Sequence, residues 1–395
     1  MNVTSWTELL GEAGRRNPYS FYAQLRGEPV HRDPASGLWL ILDHEGVKGA
    51  LHDHETWSSR ASASGGQPLD WLIFQDPPRH AALRALILRA FTPRAVAELE
   101  PRIRQLSREL LDPVIAHGRM DLCANYSSPL PLLVIAELLG IPVEDRPRFR
   151  HWSDVILGLS DTIASGGPAA EHAVAEFRKA SREMRDYLAD LLELRRAAPR
   201  GDLLSRLVAA ELDGARLSGD EILAFFQLLL VAGSETTTNL IGNAILCFLD
   251  HPGELARVRA RPELLPSAVE EVLRHRTPIQ AVFRVARRDV DSHGRTIPAG
   301  SLALVMIGAA NRDPRAFADP DRFDVARDPN PHLAFGHGIH FCLGAALARL
   351  EARIALGDLL SRMKSFEPAA GEPWEPRRAF HVHGPTSLPL CFDPA

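Results

Sequence analysis

The chain has 395 residues, of which 45% are hydrophobic, and 45 basic and 50 acidic side chains give it a formal net charge of −5. A chain of this length can bury a large core. The slight negative charge argues against nucleic acid as its main partner, because such a partner requires a basic surface. No linker, low-complexity tract or repeat divides the sequence. We therefore predict one domain over residues 1–395, and we expect the chain to act as a monomer.

No segment of the sequence indicates a membrane or an oxidising compartment. The N-terminal segment lacks the basic and apolar regions of a signal peptide. The longest apolar stretch, from Ile222 to Ala232, is about half as long as a bilayer span and contains Gln227. The four cysteines are scattered without a CxxC spacing, which fits free thiols in a reducing compartment. We expect a cytoplasmic protein without a membrane anchor.

In chain order, the first predicted element is a strand-like segment from Leu38 to Leu42. Asp76 stands before two prolines and predicts a helix start, because aspartate can cap free backbone N–H groups and proline suits a first helical turn. Ser218 and Glu221 form a capping-box pair. They predict the start of a very long apolar helix that ends near Asp250.

The second half of the chain adds further helices and short strands. Ser267 and Glu270 repeat the capping-box pattern ahead of a shorter helix. Strand-like segments cover Val282 to Val285 and Ser301 to Ile307. A last long helix begins near Cys342. The predicted fold class is mainly α with a minor β portion.

The most specific stretch is FGHGIHFCLG, from Phe335 to Gly344, directly before the last helix. Its glycines permit tight turns and a close approach of backbone to a flat group. The cysteine of this stretch, Cys342, lies at a helix N-terminus, where the dipole and free N–H groups favour a thiolate. A thiolate is a soft ligand suited to iron or another soft metal. Cys342 is therefore a candidate metal ligand.

From these residues alone, other interpretations of Cys342 stay open. A lone cysteine is often a small buried hydrophobic residue. A zinc site could be drawn from Cys342 with His332, His337 and His340, although their spacing is unusual and no second cysteine lies nearby. A catalytic thiol would need a base and an orienting group that a sequence does not locate.

The segment FGHGIHFCLGAALARLE is similar to the haem-binding signature of cytochromes P450, FGxGxHxCxG followed by a helix. It resembles the soluble bacterial branch in particular, with Ala346 where many relatives have proline. The resemblance implies a cytochrome P450 fold and a haem b (iron protoporphyrin IX) between the long central helix and the helix after the cysteine. Cys342 would hold the iron, and Phe335, Gly336 and Gly344 would belong to the cofactor site.

A second motif lies in the shorter helix, where Glu271 and Arg274 share a face. Such pairs are commonly solvated surface pairs. The cytochrome P450 family carries ExxR at this place and a further arginine in a Pro-x-Arg-Phe loop, here Arg322. The resemblance implies that these three residues support the haem pocket structurally.

The long apolar helix contains Ala232, Gly233, Glu235 and Thr236 in the run AGSETTT. A glycine costs about 1 kcal/mol relative to alanine inside a helix, and threonine hydroxyls can bend one, so this run needs an explanation. The run resembles the family's AGxxT motif, which implies a locally opened helix that makes a groove for oxygen and water. Thr236 would then support oxygen activation, and Glu235 would feed a proton relay.

Several cationic and polar residues match family positions for the haem propionates. His80 and Arg84 resemble the family's HxxxR pair, while Arg284 and His340 match two further positions. Each alone would be an ordinary surface residue, but together they occur in the family's order. The same resemblance places a substrate pocket along residues 60–74 and 150–185 and at a small set of named residues: Ala232, Gly233, Ile279, Val282 and Thr386.

The implied function is that of a monooxygenase, which inserts one atom of O₂ into a hydrophobic small molecule such as a fatty acid, terpenoid, steroid or macrolide. A separate ferredoxin and its ferredoxin reductase would donate the electrons. Arg349 and Arg353 lie on one helical stripe with Cys342 and are candidates for a basic docking patch. Alternatives are a peroxide-driven peroxygenase, a non-enzymatic haem sensor or carrier, and a zinc-binding structural protein.

Overall fold

The computed structural model describes residues 5–60, 69–162, 167–212 and 214–395. The helices are α1 (Glu12–Arg16), α2 (Tyr19–Gln24), α3 (His44–His52), α4 (Arg79–Ala90), α5 (Pro93–Ala97), α6 (Glu100–Ile115), α7 (Pro129–Leu139), α8 (Arg146–Thr162), α9 (Gly167–Ala197), α10 (Leu203–Ala209), α11 (Gly219–Asp250), α12 (Pro252–Ala260), α13 (Leu265–His275), α14 (Ile307–Ala310) and α15 (Ala345–Arg362). The strands are β1 (Val30–Arg32), β2 (Trp39–Ile41), β3 (Trp57–Ser58), β4 (Arg119–Asp121), β5 (Glu211–Leu212), β6 (Ala215–Arg216), β7 (Val282–Ala286), β8 (Val290–Ser292), β9 (Arg295–Ile297), β10 (Leu302–Val305), β11 (Met363–Pro368), β12 (Glu375–Pro376), β13 (Pro385–Ser387) and β14 (Pro389–Pro394).

The main sheet is built from the three predicted strand segments and two short partners, in the order β1-β2-β10-β7-β3. β10 pairs in parallel with β2 and antiparallel with β7. At the edge of the sheet, β3 pairs with β7, and Ser58 lies opposite Val285. The predicted class, mainly α with a minor β portion, is confirmed. The sheet also brings Arg284 of β7 close to the segment that follows β3.

The long helix α11 crosses the largest core cluster, and its predicted start is confirmed. Ser218 and Glu221 make both hydrogen bonds of a capping box. Midway, a Cβ atom on Gly233 would lie 2.5 Å from Cδ1 of Ile135, so this glycine allows α7 to pack closely. The helix is continuous through Thr236, and the locally opened helix expected there is absent from the described backbone.

Two predicted helix caps are wrong, because the supposed capping side chains bond residues elsewhere in the chain. Helix α4 begins at Arg79, and the carboxylate of Asp76 accepts hydrogen bonds from Ser58 of β3 and from Arg287 instead. Ser267 lies inside α13, where its hydroxyl donates to the carbonyl of Val325. Glu270, its supposed capping partner, forms ion pairs elsewhere.

The last helix, α15, begins three residues after Cys342, with Gly344 as its N-cap. Its Leu347, Leu350 and Ile354 are buried in the same core cluster that surrounds α11, so the two helices flank one region of the interior. Within the described parts of the chain, the helices do not combine the length and apolar composition that a bilayer crossing requires.

Candidate active site

The loop before α15 is held in place by two glycines and one main-chain hydrogen bond. Gly336 and Gly338 have φ angles of 72° and 70°, which side-chain-bearing residues rarely adopt. A Cβ atom on Gly338 would lie 2.8 Å from the carbonyl oxygen of Leu51 in α3. The N–H of Cys342 donates to the carbonyl of Phe335 at 2.9 Å. This geometry presents the cysteine on a tight turn supported by α3.

The electrostatic environment of the Cys342 thiol combines opposing effects. The residue is exposed, yet desolvation by the surrounding protein raises the pKa of its thiol. The backbone N–H of Gly344 and the guanidinium groups of Arg84 and Arg349 act in the opposite direction and favour the thiolate. A Cβ atom on Gly344 would come within 3.9 Å of the sulfur. Desolvation is the largest of these effects, so a thiolate at Cys342 requires a positive partner such as a metal ion beside it.

The histidines near Cys342 do not converge on it. His332 contacts Glu270, His337 packs its ring against His52, and His340 faces Ser59. Within the described residues, no group of three or more His, Cys, Asp or Glu side chains is arranged to hold a metal ion. The structure thus gives no support to the zinc site considered from the sequence.

The predicted propionate residues are brought together. The rings of His80 and His340 lie with their centroids 4.3 Å apart. Burial lowers the pKa of His80 to about 4 and that of His340 to about 3, and it lowers the pKa of Arg284 to about 10. Arg84 donates to the carbonyl of Phe341, next to the cysteine, at 2.6 Å.

This cluster fits haem in the chemistry of its donors. One sulfur is available as a soft axial ligand, and two guanidinium groups and two imidazoles lie near it on α4, β7 and the cysteine loop. Nε2 of His80 is buried and has no hydrogen-bond partner among the residues that the structure describes. Since buried polar atoms are normally satisfied, this nitrogen is suited to a bound carboxylate such as a haem propionate.

On α11, the predicted acid and hydroxyl lie at neighbouring positions but in different environments. Glu235 is only 4% exposed, and burial raises its pKa to about 7. Thr236 is half-buried, and its hydroxyl donates to the carbonyl of Ala232 at 2.7 Å. Ala232 is exposed, so this face of the helix borders open space. A carboxyl group that titrates near neutral pH can store and release a proton beside that face.

Two residues that the sequence did not single out surround Glu235. Nε of Arg377 lies 3.7 Å from Oε1 of Glu235. Asp161, at the end of α8, accepts a hydrogen bond from the N–H of Ala379 and interacts with the same arginine. Arg377 lowers the pKa of Glu235, and Asp161 raises it. No local pattern pointed to these residues, because they and Glu235 lie on three distant segments.

The buried ion pair of α13 forms as predicted, but the third member of the group is a different arginine. Glu271 and Arg274 are fully buried, and Nε of Arg274 lies 2.8 Å from Oε2 of Glu271. The prediction of Arg322 as their side-chain partner is wrong, because this side chain is 62% exposed. Arg327 contacts Glu271 instead, at 3.1 Å. Arg322 contributes only its carbonyl, which accepts hydrogen bonds from Arg274 and Arg327.

Arg349 forms an ion pair with another residue of the chain. Its Nε lies 2.7 Å from Oε1 of Glu270, and its guanidinium lies 4.3 Å from the ring centroid of Phe335. With Arg349 and His332 beside it, the pKa of Glu270 falls to about 2 in spite of partial burial. Arg349 therefore ties the cysteine loop to α13, while Arg353 is exposed.

The predicted pocket residues are less closely grouped. Ile279 and Val282 are partly buried and pack against the core cluster of the main sheet. Gly233 faces α7 as described above. Thr386 is exposed, and its hydroxyl donates to the carbonyl of Glu375 at 3.1 Å, so it stabilises the β12–β13 pair. Residues 61–68 and 163–166 of the expected pocket lie outside the described residues.

A sulfur donor, a propionate-type cluster and a buried acid on a long central helix thus occur in one chain. The family model of cytochrome P450 matches residues 169–386, which is more than half of the chain. The chain belongs to the cytochrome P450 family. Its fold is the cytochrome P450 fold, and the protein is a cytochrome P450 monooxygenase.

Relatives with similar sequence identities to this chain support its membership of the family over nearly the whole length. Putative cytochrome P450 YjiB of Bacillus subtilis is 41% identical over 91% of this chain and 90% of its own length. Cytochrome P450 monooxygenase PikC of Streptomyces venezuelae is 40% identical over 96% and 92%. The structure of CYP109Q5 from Chondromyces apiculatus superposes with a TM-score of 0.88 at 40% identity, over 98% of each chain. The structure of CYP109E1 from Bacillus megaterium with testosterone gives 0.87 at 38% identity, over 95% of this chain and 99% of that one.

Proposed function

We propose that this cytochrome P450 hydroxylates or epoxidises a hydrophobic small molecule with O₂, using electrons from a separate ferredoxin and its ferredoxin reductase. The observation that carries the proposal is the buried acid Glu235 next to Thr236, whose half-buried side chain lies on the face of α11 that borders open space. A peroxide-driven enzyme has less need of such a pair, because peroxide already brings the protons and electrons that O₂ lacks. A haem sensor needs no proton relay at all.

We assign the haem, as haem b, to Cys342 and to the cluster of His80, Arg84, Arg284 and His340, with Phe335, Gly336 and Gly344 shaping the loop. Bound there, the haem supplies the activation of O₂, which a thiolate ligand favours by donating electron density. The protein's own part is to orient the substrate, to exclude water and to deliver protons.

The proton path begins at the polar group of Arg377 and Asp161 and ends at the α11 face. Glu235 takes up a proton there, since burial keeps its pKa near the pH of the cell interior. The hydroxyl of Thr236 is the next group on the open face; it donates to the carbonyl of Ala232, and its oxygen can accept a hydrogen bond from a group bound there. Glu235 thus holds and releases the proton, and Thr236 orients the group that receives it.

The substrate is expected to be hydrophobic, because Ala232, Ile279 and Val282 offer apolar surface and binding pockets of this kind select apolar guests. Among the relatives, one is a cyclomarin C epoxidase from Salinispora arenicola, and solved neighbours from Bacillus megaterium contain testosterone or corticosterone. These relatives support cyclomarin C and steroids as the first compounds to test, followed by macrolides. Fatty acids and terpenoids complete the panel, which is read by the spin-state shift of the Soret band on binding.

The electron donor is proposed to dock near Cys342. Phe341 and Leu88 are 43% and 46% exposed. Arg84 donates to the carbonyl of Phe341 and lies one turn before Leu88 on α4. Arg353 adds an exposed cation on α15. An apolar centre with cations around it suits an acidic ferredoxin.

Charge reversal tests this docking. Arg353→Glu is expected to slow electron transfer from ferredoxin and to reduce its salt dependence, whereas Arg295→Glu on β9 serves as a matched control. Arg349 is unsuitable as the test residue, since its removal would also break the ion pair with Glu270. Equal rates and equal salt dependence in Arg353→Glu and the wild type would refute the docking site.

The experiment that tests the function is a coupled turnover assay with ferredoxin, its reductase and a bound substrate. In Thr236→Ala, consumption of reductant should continue while product falls and peroxide accumulates, and Thr236→Ser should restore the coupling. Turnover with peroxide but none with the redox partners would instead favour a peroxygenase. We also propose that the chain works as a single-domain monomer in the cytoplasm, which light scattering and cell fractionation would test.

A further inference from the structure

A carboxylate of the protein itself lies inside the cluster that we assign to the haem propionates. Asp76 is buried, and its charge acts on His80, His340 and Arg284. A second negative group in a site for carboxylates is unexpected, because like charges repel. The position of Asp76 therefore requires a role other than the helix cap that its sequence context indicated.

The hydrogen bonds of Asp76 identify that role. Oδ2 accepts from the hydroxyl of Ser58 at 2.5 Å and from Arg287 at 2.5 Å, and Oδ1 accepts from the N–H of Ser59 at 2.9 Å. The carboxylate thus fixes both the side chain and the main chain of the segment after β3. Three charge-assisted hydrogen bonds satisfy it, which explains how a negative group is tolerated here.

Ser59 connects this segment to His340, one of the residues that we assign to the haem propionates. Its hydroxyl forms a hydrogen bond with Nε2 of His340 at 2.9 Å, and Ser59 is only 2% exposed. With Nε2 engaged, Nδ1 is the ring nitrogen of His340 that remains for a propionate. A hydrogen bond to one ring nitrogen sets the tautomer of the imidazole and fixes the direction in which the other ring nitrogen points.

The sheet makes the arrangement rigid. β3 pairs with β7, so Ser58 lies opposite Val285, next to Arg284. Arg287 follows the same strand and reaches back to Asp76. One edge of the main sheet thereby holds the carboxylate, the two serines and the cationic residues in a single unit.

We propose that Ser59 and Asp76 are positioning residues for the haem propionates: Asp76 fixes the Ser58–Ser59 segment, and the Ser59 hydroxyl orients His340 toward the propionate. The proposal rests on the haem assignment made above. It goes beyond that assignment because it gives two residues outside the four-residue cluster a defined part in holding the cofactor.

The test uses the holoenzyme and does not depend on turnover. Haem transfer from the protein to apomyoglobin is followed in the wild type, Ser59→Ala, Ser59→Thr and Asp76→Asn. Loss of a hydrogen bond that orients a binding residue typically lowers the affinity of the site by about tenfold or more. Ser59→Ala should therefore release haem about tenfold faster. Ser59→Thr keeps the hydroxyl and should match the wild type. Asp76→Asn should behave like Ser59→Ala, because the amide of asparagine accepts fewer of the three hydrogen bonds.

Resonance Raman spectra of the propionate bending region separate positioning from general loosening. Ser59→Ala should shift that band, while Ser36→Ala should leave both the band and the transfer rate unchanged. Ser36 serves as a control because its hydroxyl also makes a short side-chain hydrogen bond, to the buried carboxylate of Asp33 at 2.6 Å, but has no contact with His340. An unchanged band and rate in Ser59→Ala would overturn the proposal even if Asp76→Asn failed to fold. A wild type that binds no haem would refute the proposed function itself.

Discussion

Nε of Arg377 lies 3.7 Å from Oε1 of Glu235, and both side chains are shielded from solvent. One belongs to the C-terminal segment and the other to the middle of α11, so this contact joins the proton-relay candidate to a distant part of the chain. Asp161 completes the group from α8. The charge balance among these three residues sets the pH at which Glu235 exchanges its proton.

The first prediction concerns that balance. Arg377→Gln removes the positive charge that lowers the pKa of Glu235, so the pH profile of coupled turnover should shift to higher pH. Asp161→Asn removes a charge that raises the pKa, and its profile should shift to lower pH. Arg378→Gln, at the exposed neighbouring position, is the matched control. Shifts of the same sign in both variants would contradict this account.

Stability should depend on pH through Glu235. Burial raises its pKa from 4.5 to about 7 in the folded protein, so its stabilising contribution is complete below pH 4.5 and is lost as the pH rises toward 7. The difference corresponds to about 3 kcal/mol. In Glu235→Gln no carboxyl group ionises at this position, so this loss of stability does not occur. Relative to the wild type, its free energy of unfolding should therefore rise between pH 5 and pH 8, as measured by denaturant titration.

The corrected ion-pair assignment gives a prediction for stability. Glu271→Ala strands Arg274 and Arg327 without their carboxylate, which should cost about 3–5 kcal/mol of unfolding free energy. Arg327→Ala should also be clearly destabilising, because it removes a direct contact with Glu271. Arg322→Ala should fall within about 0.5 kcal/mol of the wild type, as surface substitutions usually do. Chemical denaturation followed by tryptophan fluorescence distinguishes the three variants. A large loss of unfolding free energy in Arg322→Ala alone would support Arg322 as the partner of Glu271.

The cysteine loop can be tested with a pair of glycines that share one backbone conformation. Gly338 and Gly371 have φ angles of 70° and 77°, so alanine at either position incurs a strain of roughly 1–2 kcal/mol. At Gly371 the new Cβ meets open space, whereas at Gly338 it would press on the backbone of Leu51. Gly338→Ala should therefore bind less haem than Gly371→Ala, as judged from the haem-to-protein absorbance ratio. Equal haem content in the two variants would show that the contact with α3 is unimportant.

Local sequence patterns predicted local structure where no distant partner competed. Ser218 and Glu221 form the predicted capping box at the solvent-facing start of α11. Ser267 and Glu270 have the same spacing but are partly buried, and their side chains bond Val325 and Arg349 instead of capping a helix. A spacing rule contains no information about such partners.

The site was predicted only as far as contiguous motifs reach. Cys342 and the four-residue propionate cluster lie in or near recognisable motifs. Arg327 was missed because the loop motif ends at Phe323 and the chain then folds back, held by hydrogen bonds from Arg327 to nearby carbonyls. Arg377 and Ser59 belong to no motif, and only the folded chain brings them to Glu235 and His340.

The central claim is that the sulfur of Cys342 binds a haem iron, and the absorption spectrum of the reduced protein under carbon monoxide tests it most directly. We predict the long-wavelength Soret band of a thiolate-ligated haem in the wild type and in Cys391→Ser, a control at a half-buried cysteine. Cys342→Ser should lose the band. A wild type without this band, or a Cys342→Ser variant that keeps it, would contradict the account.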